Sequence, residues 1–212
     1  MSAASVTLAP GLVHVPAYLD QAVQAALLDD VLAVLRAAPP FTPRMPRTGK
    51  PFSVRMSNCG PLGWVSDAER GYRYQATHPD TRAPWPPMPP LLFDAWRTLS
   101  SYPYPPEACL VNLYAPSARM GLHQDRDEAD LEAPVVSLSL GDAAVFRYGG
   151  PNRRDPTRAI RLASGDALVL GGASRLAFHG IDRIVPGTSP LPVLTGQRIN
   201  LTLRRVVRAT NL

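Results

Sequence analysis

From residue 108 onward the chain is cut into short apolar, β-rich runs: ACLVNLY, APVVSLSL, AAVFRYGG, RAIRLA, ALVLGG, RLAFHG and RINLTLRRVV. Turn residues part them, at Gly141-Asp142, Gly149-Gly150-Pro151, Gly165-Asp166 and Gly171-Gly172. Runs this short suit strands better than helices. Evenly spaced strands with turn signals between them predict antiparallel sheets packed as a sandwich or closed as a barrel.

The first half reads differently. Asp20 sits where a cap belongs, ahead of QAVQAALLDDVLAVLRAA, and Val23, Leu27, Val31 and Leu35 recur every four residues. That pattern predicts a helix with one apolar face, ended by Pro39-Pro40. TPRMPRTGKPFSVRMSNCGPLGW is basic and turn-rich and reads as a loop or an irregular hairpin. Six prolines in residues 79–90 remove too many backbone donors for regular structure, and LLFDAWRTLS reads as a second helix. The expected fold is α+β and mainly β. A double-stranded β-helix, or jelly roll, occupies 108–206 and a helix and loop layer occupies 1–107. A tail follows over 207–212, all within one domain of 1–212.

The 212 residues carry a net charge of +5, and Lys50 is the only lysine, so the positive charge is almost all arginine. Arginine grips phosphate with a planar fork, which points to an anionic partner, nucleic acid first. Base composition of the coding sequence accounts for an arginine- and proline-rich chain equally well. Cys59 and Cys109 form no metal spacing and no disulfide framework, which suits a reducing, cytoplasmic compartment. No signal peptide and no span of 18 apolar residues is evident, so no membrane partner is expected. A monomer is the default.

Residues 122–128 read LHQDRDE. In an extended segment the spacing HxD puts His123 and Asp125 on one face. A later histidine, His179 in FHG, would complete two imidazoles and one carboxylate, the facial set that holds non-haem Fe(II). An HxD alone is weak evidence, and a polar turn reads as well. The last run adds weight: in RINLTLR, Arg198, Asn200, Thr202 and Arg204 share one face and Ile199, Leu201 and Leu203 the other. The polar face is either solvated or the floor of an anion pocket. Asn112 and Tyr114 repeat that alternation just before HxD.

Taken together, NLYAPSARMGLHQDRDE, SLSLGDAAVFRYGG, GDALVLGGASRLAFHG and RINLTLRR resemble the AlkB family of Fe(II)/2-oxoglutarate-dependent nucleic-acid dealkylases, most closely its bacterial members. The resemblance covers at least residues 52–205 in order and spacing. It implies that His123, Asp125 and His179 hold Fe(II). Asn112, Tyr114, Arg198, Asn200, Thr202 and Arg204 would hold 2-oxoglutarate, with Arg198 on the far carboxylate and Arg204 on the one nearer iron. Met56, Trp64 and Tyr72 would form a nucleotide-recognition lid, with Trp64 stacked on an extruded base opposite the His123 ring. Asp127 and Arg153 would line the base pocket. The implied activity uses dioxygen and 2-oxoglutarate to demethylate N1-methyladenine and N3-methylcytosine, releasing formaldehyde and succinate, as direct-reversal DNA repair. Single-stranded DNA is the expected substrate, with duplex and RNA open. Three rivals stand beside it: the same iron chemistry on a tRNA, a protein or a small molecule; a jelly-roll binding module without catalysis; and zinc hydrolysis.

Overall fold

The computed structural model describes residues 4–208. The first half of the chain contributes β1 (Val6–Ala9), β2 (Leu12–Val15), α1 (Gln21–Ala37), β3 (Arg55–Cys59), β4 (Gly63–Asp67), β5 (Gly71–Gln75) and α2 (Pro90–Ser100). The second half supplies β6 (Ala108–Tyr114), β7 (Met120–His123), β8 (Val135–Gly141) and β9 (Ala143–Tyr148). It continues with β10 (Arg158–Leu162), β11 (Ala167–Leu170), β12 (His179–Val185) and β13 (Arg198–Arg204). The expected tail lies outside the described residues from position 209.

Two antiparallel sheets face each other. The larger has the order β1-β2-β11-β8-β13-β6-β3, and the smaller β10-β9-β12-β7. Alternation along the strands divides the core in two. Val111, Leu138, Leu201 and Leu203 point outward, where Leu27 and Val31 of α1 and Leu92 and Trp96 of α2 cover them. Leu110, Tyr114, Phe146, Tyr148 and Ile181 fill the space between the sheets. The mainly-β jelly roll with helices against one sheet agrees with expectation. Among the described residues no helix is long and apolar enough to cross a membrane.

The Asp20 carboxylate caps α1 by accepting from the Val23 N–H at 2.9 Å. The buried face of α1 is Gln24, Leu27, Leu28, Val31 and Val34, so the predicted stripe is right at its centre, and Val23 and Leu35 flank it. Three readings change. The N-terminal layer also builds sheet: β1 and β2 extend the larger sheet beyond β11, and β3 forms its other edge against β6. β3 escapes a sequence reading because it buries polar residues. Ser57 Oγ donates to the Ala38 carbonyl at 2.7 Å, and the Asn58 side chain bonds both backbone groups of Trp64. In RLAFHG only the last two residues are strand, since a 3-10 turn precedes them.

Candidate active site

The smaller sheet brings the two histidines together. β12 pairs with β7 so that His179 lies directly across from His123, with a register irregularity one step on. Their ring centroids are 4.5 Å apart. Asp125 follows the end of β7 and reaches back between them, its two oxygens 3.6 Å from His123 Nε2 and 3.7 Å from His179 Nε2. One ligand atom from each of the three residues falls within 4.8 Å of the others. His123 Nδ1 lies 2.9 Å from the Gly121 carbonyl and His179 Nδ1 3.0 Å from the Ala177 carbonyl. A carbonyl only accepts, so each Nδ1 carries the proton and each Nε2 offers a lone pair to the same point.

The electrostatics suit a cation. Burial, reinforced by the neighbouring His123, lowers the pKa of His179 to about 4, so its imidazole is neutral at pH 7. Burial also pulls His123 down, but the Asp125 carboxylate outweighs it and the net shift is upward. Burial opposes charge on Asp125, yet the Arg204 guanidinium and the two imidazoles hold its carboxyl well below the usual range.

The larger sheet presents a polar inner face. Across β13 and β6, Arg198 lies opposite Tyr114 and Asn200 opposite Asn112, so all four point between the sheets. Asn200 Nδ2 donates to Ser137 Oγ at 2.7 Å, and Thr202 Oγ1 donates to Asn200 Oδ1 at 2.9 Å. Arg198 is wholly buried and has no carboxylate partner among the described residues. It donates to the Asp142 and Leu162 carbonyls at 3.0 and 3.2 Å and to Ser139 Oγ at 2.7 Å. Its Nε–H has no partner; nor have Arg204 Nε and Asn112 Oδ1, all three buried. Unpaired buried polar groups and an uncompensated cation are costly unless a ligand satisfies them. A dicarboxylate does so, and two imidazoles beside an ionised carboxylate are a donor set that suits a ferrous ion.

The lid residues divide. Trp64 and Tyr72 sit on the β4–β5 hairpin, a separate two-stranded sheet, and stack with centroids 5.4 Å apart. Tyr72 is 49 % exposed and Trp64 is buried. Trp64 Nε1 donates to Asp127 Oδ2 at 2.8 Å. Asp127 makes no ion pair with Arg119 or Arg126 among the described residues, although the sequence offers both. Met56 is not on the hairpin. It lies on β3 opposite Asn112, buried on the inner face. Arg153 is exposed and donates to the Leu122 carbonyl at 3.0 Å, on the strand that carries His123.

Sequence reasoning missed Tyr74, Glu128 and Arg175. Buried Glu128 accepts from Arg204 Nη1 at 2.9 Å, from Arg175 Nη2 at 3.0 Å and from the Tyr74 hydroxyl. Arg204 Nη2 also donates to Asp125 Oδ1 at 2.7 Å. Glu128 lies in the quoted LHQDRDE run, but nothing local separates it from a solvated acid.

Facing sheets that converge two imidazoles, one carboxylate and two buried arginines define a class, the non-haem iron oxygenases that consume 2-oxoglutarate. Residues 11–204 match the family model of the 2OG-Fe(II) oxygenase superfamily. The chain is 58% identical over 205 residues to the alpha-ketoglutarate-dependent dioxygenase AlkB homolog of Caulobacter vibrioides, covering 97% of this chain and 92% of that one. It is 45% identical over 170 residues to the alpha-ketoglutarate-dependent dioxygenase AlkB of Escherichia coli, covering 78% and 77%. The solved structure of OsALKBH1 superposes with a TM-score of 0.81 at 32% identity, covering 95% of this chain and all of that one. The chain belongs to the AlkB family of Fe(II)/2-oxoglutarate-dependent dioxygenases. It is an oxidoreductase that uses Fe(II), 2-oxoglutarate and dioxygen.

Proposed function

We propose that this dioxygenase demethylates N-alkylated bases, N1-methyladenine and N3-methylcytosine, in single-stranded DNA first and in duplex DNA and RNA as further substrates. The observation that carries this reading is the Tyr72–Trp64 stack joined to Asp127, two residues beyond Asp125. Flipped or single-stranded bases are held by aromatic faces. The methylated bases are cationic, and Asp127 keeps one carboxylate oxygen out of the indole bond, able to attract that charge and accept from an exocyclic amine.

In this reading His123, Asp125 and His179 hold the metal. Arg198, with its unpartnered Nε–H, takes the far carboxylate of 2-oxoglutarate, and Tyr114, Asn112, Asn200 and Thr202 line the slot. Arg204 stands by the metal end, where its Nε–H is free for the nearer carboxylate while its other nitrogens hold Asp125 and Glu128. Bound iron, with 2-oxoglutarate and dioxygen, supplies oxidation of the N-methyl group: 2-oxoglutarate leaves as succinate and carbon dioxide, and the hydroxymethyl base releases formaldehyde. The buried inner face keeps bulk water from the reacting carbon. Trp64 and His123 flank the base, with Arg153 at the rim. The exposed side chains of Arg44, Arg47, Lys50 and Arg55 lie where phosphates would pass.

The test is formaldehyde release from methylated single-stranded, duplex and RNA oligonucleotides, with a methylated peptide as comparison. Iron- and 2-oxoglutarate-dependent release from oligonucleotides, lost in Asp125→Ala, is expected. Release from the peptide alone would overturn the substrate assignment. Activity of Asp125→Ala within a few fold of the parent would overturn the metal assignment.

A further inference from the structure

Residues 125–128, Asp-Arg-Asp-Glu, do more than supply one metal ligand. Asp127 accepts the Trp64 indole N–H, and Glu128 accepts the Tyr74 hydroxyl. Trp64 and Tyr74 are directly opposed partners across the β4–β5 hairpin, so both side chains leave the same face. Two of the hairpin's three aromatic hydrogen-bond donors, Trp64 and Tyr74, therefore end on the segment that carries Asp125.

β4 and β5 pair with neither large sheet. A two-stranded hairpin alone is marginal, so anchors from the rest of the protein set its position. Asn58 holds the Trp64 backbone, Ser66 and Arg44 bond each other's backbones, and Trp85 Nε1 donates to the Gln75 carbonyl. These fasten the hairpin to β3 and the flanking loops. The links through Trp64 and Tyr74 fasten it to the site. The second is the deeper: the Glu128 side chain is fully buried, and Arg204 Nη1 donates to both Glu128 Oε1 and, at 3.0 Å, the Tyr74 oxygen. The same guanidinium holds Asp125 by its other terminal nitrogen, and Arg175 Nη1 holds the Asp125 carbonyl. A continuous chain thus runs Tyr74–Glu128–Arg204–Asp125.

We infer that Glu128 and Tyr74 are positioning residues that couple the seat of the β4–β5 hairpin to the loading of metal and 2-oxoglutarate. This deepens the site assignment proposed above and rests on it. A divalent cation on Asp125 withdraws electron density from the carboxylate that Arg204 grips. More of the guanidinium's charge then bears on Glu128 and the phenol oxygen, and the hairpin is held harder. The coupling is reciprocal, so a seated hairpin favours the loaded site by the same factor. The aromatic wall of the base pocket is then held more firmly when the oxidising end is loaded.

Amide hydrogen exchange on the full chain tests this without turnover, using Mn(II) in place of iron. Adding Mn(II) and 2-oxoglutarate to the parent slows exchange over residues 63–75 by about fivefold or more, the low end of typical coupling. In Tyr74→Phe, calorimetry finds Mn(II) and 2-oxoglutarate bound more weakly by about fivefold or more, as reciprocal coupling requires, and at saturating ligand the hairpin no longer responds. Glu128→Gln, which keeps shape and removes the charge, loses the same response. Equal slowing in the parent and Tyr74→Phe overturns the inference, as does no slowing in the parent with both ligands bound. Failure of the parent to bind Mn(II) or 2-oxoglutarate overturns the site assignment itself, and the inference with it.

Discussion

Arg198→Gln tests the cosubstrate grip with a magnitude that follows from the structure. Burial lowers the pKa of Arg198 to about 10, against a weak raising influence from Tyr114 and Asp166. The group stays protonated at pH 7, and carrying that charge in place costs about 3 kcal/mol at about 1.4 kcal/mol per tenfold. Carbonyls and a hydroxyl solvate it, but no carboxylate among the described residues neutralises it. A bound carboxylate recovers most of that cost. It also gains a charge-assisted bond to the orphaned Nε–H, worth about 1.5–3 kcal/mol. The incoming carboxylate loses its own hydration in the slot, which offsets part of these gains, so the expected net loss of 2-oxoglutarate affinity is about 3 kcal/mol, or roughly a hundredfold.

Part of any loss in such a variant comes from the carbonyls left without a donor. A cycle with a second ligand removes that part. 2-Oxovalerate has the keto-acid end and chain length of 2-oxoglutarate and lacks the far carboxylate. Calorimetry with Mn(II) in place of iron gives four affinities. The parent prefers 2-oxoglutarate by roughly a hundredfold, and Arg198→Gln binds both acids about equally, within about threefold, because the coupling energy resides in one ion pair. If the variant keeps the full preference, the far carboxylate lies elsewhere and the argument from the buried cation is wrong.

Two further outcomes are expected. Asp127→Asn lowers kcat/KM on cationic methylated bases about tenfold while leaving neutral adducts within about threefold, since it removes roughly 1–1.5 kcal/mol of charge attraction in a partly solvated site; equal losses on both substrates refute the charge role. Gly180→Ala weakens Mn(II) binding at least tenfold, because a Cβ there clashes with the Met120 carbonyl and spreads β12 from β7, parting His179 from His123; unchanged metal affinity in a folded variant refutes the pairing argument.

Much of the site is legible in local pattern. Arg198, Asn200, Thr202 and Arg204 alternate with Ile199, Leu201 and Leu203, and the strand period of two is enough to predict a polar face opposite an apolar one. Whether that face meets water or a ligand is not a local property. The sandwich buries it, and burial makes Arg198 a cation waiting for an anion. Met56 shows the converse: its segment reads as lid, yet strand pairing carries it into the larger sheet beside Asn112.

The sequence by itself determined most of the strands and turns of the second half, the capped first helix, the HxD pair and the arginine-bearing last strand, because periodicity and turn chemistry are written over a few adjacent residues. Tertiary structure alone decided that His179 lies across from His123, that β1, β2 and β3 complete the larger sheet, and that Glu128 sits in the core between Tyr74, Arg175 and Arg204. Each of these depends on which strands become neighbours. Neighbours are chosen by burial and hydrogen bonding across long stretches of chain, and no short window of residues records that choice.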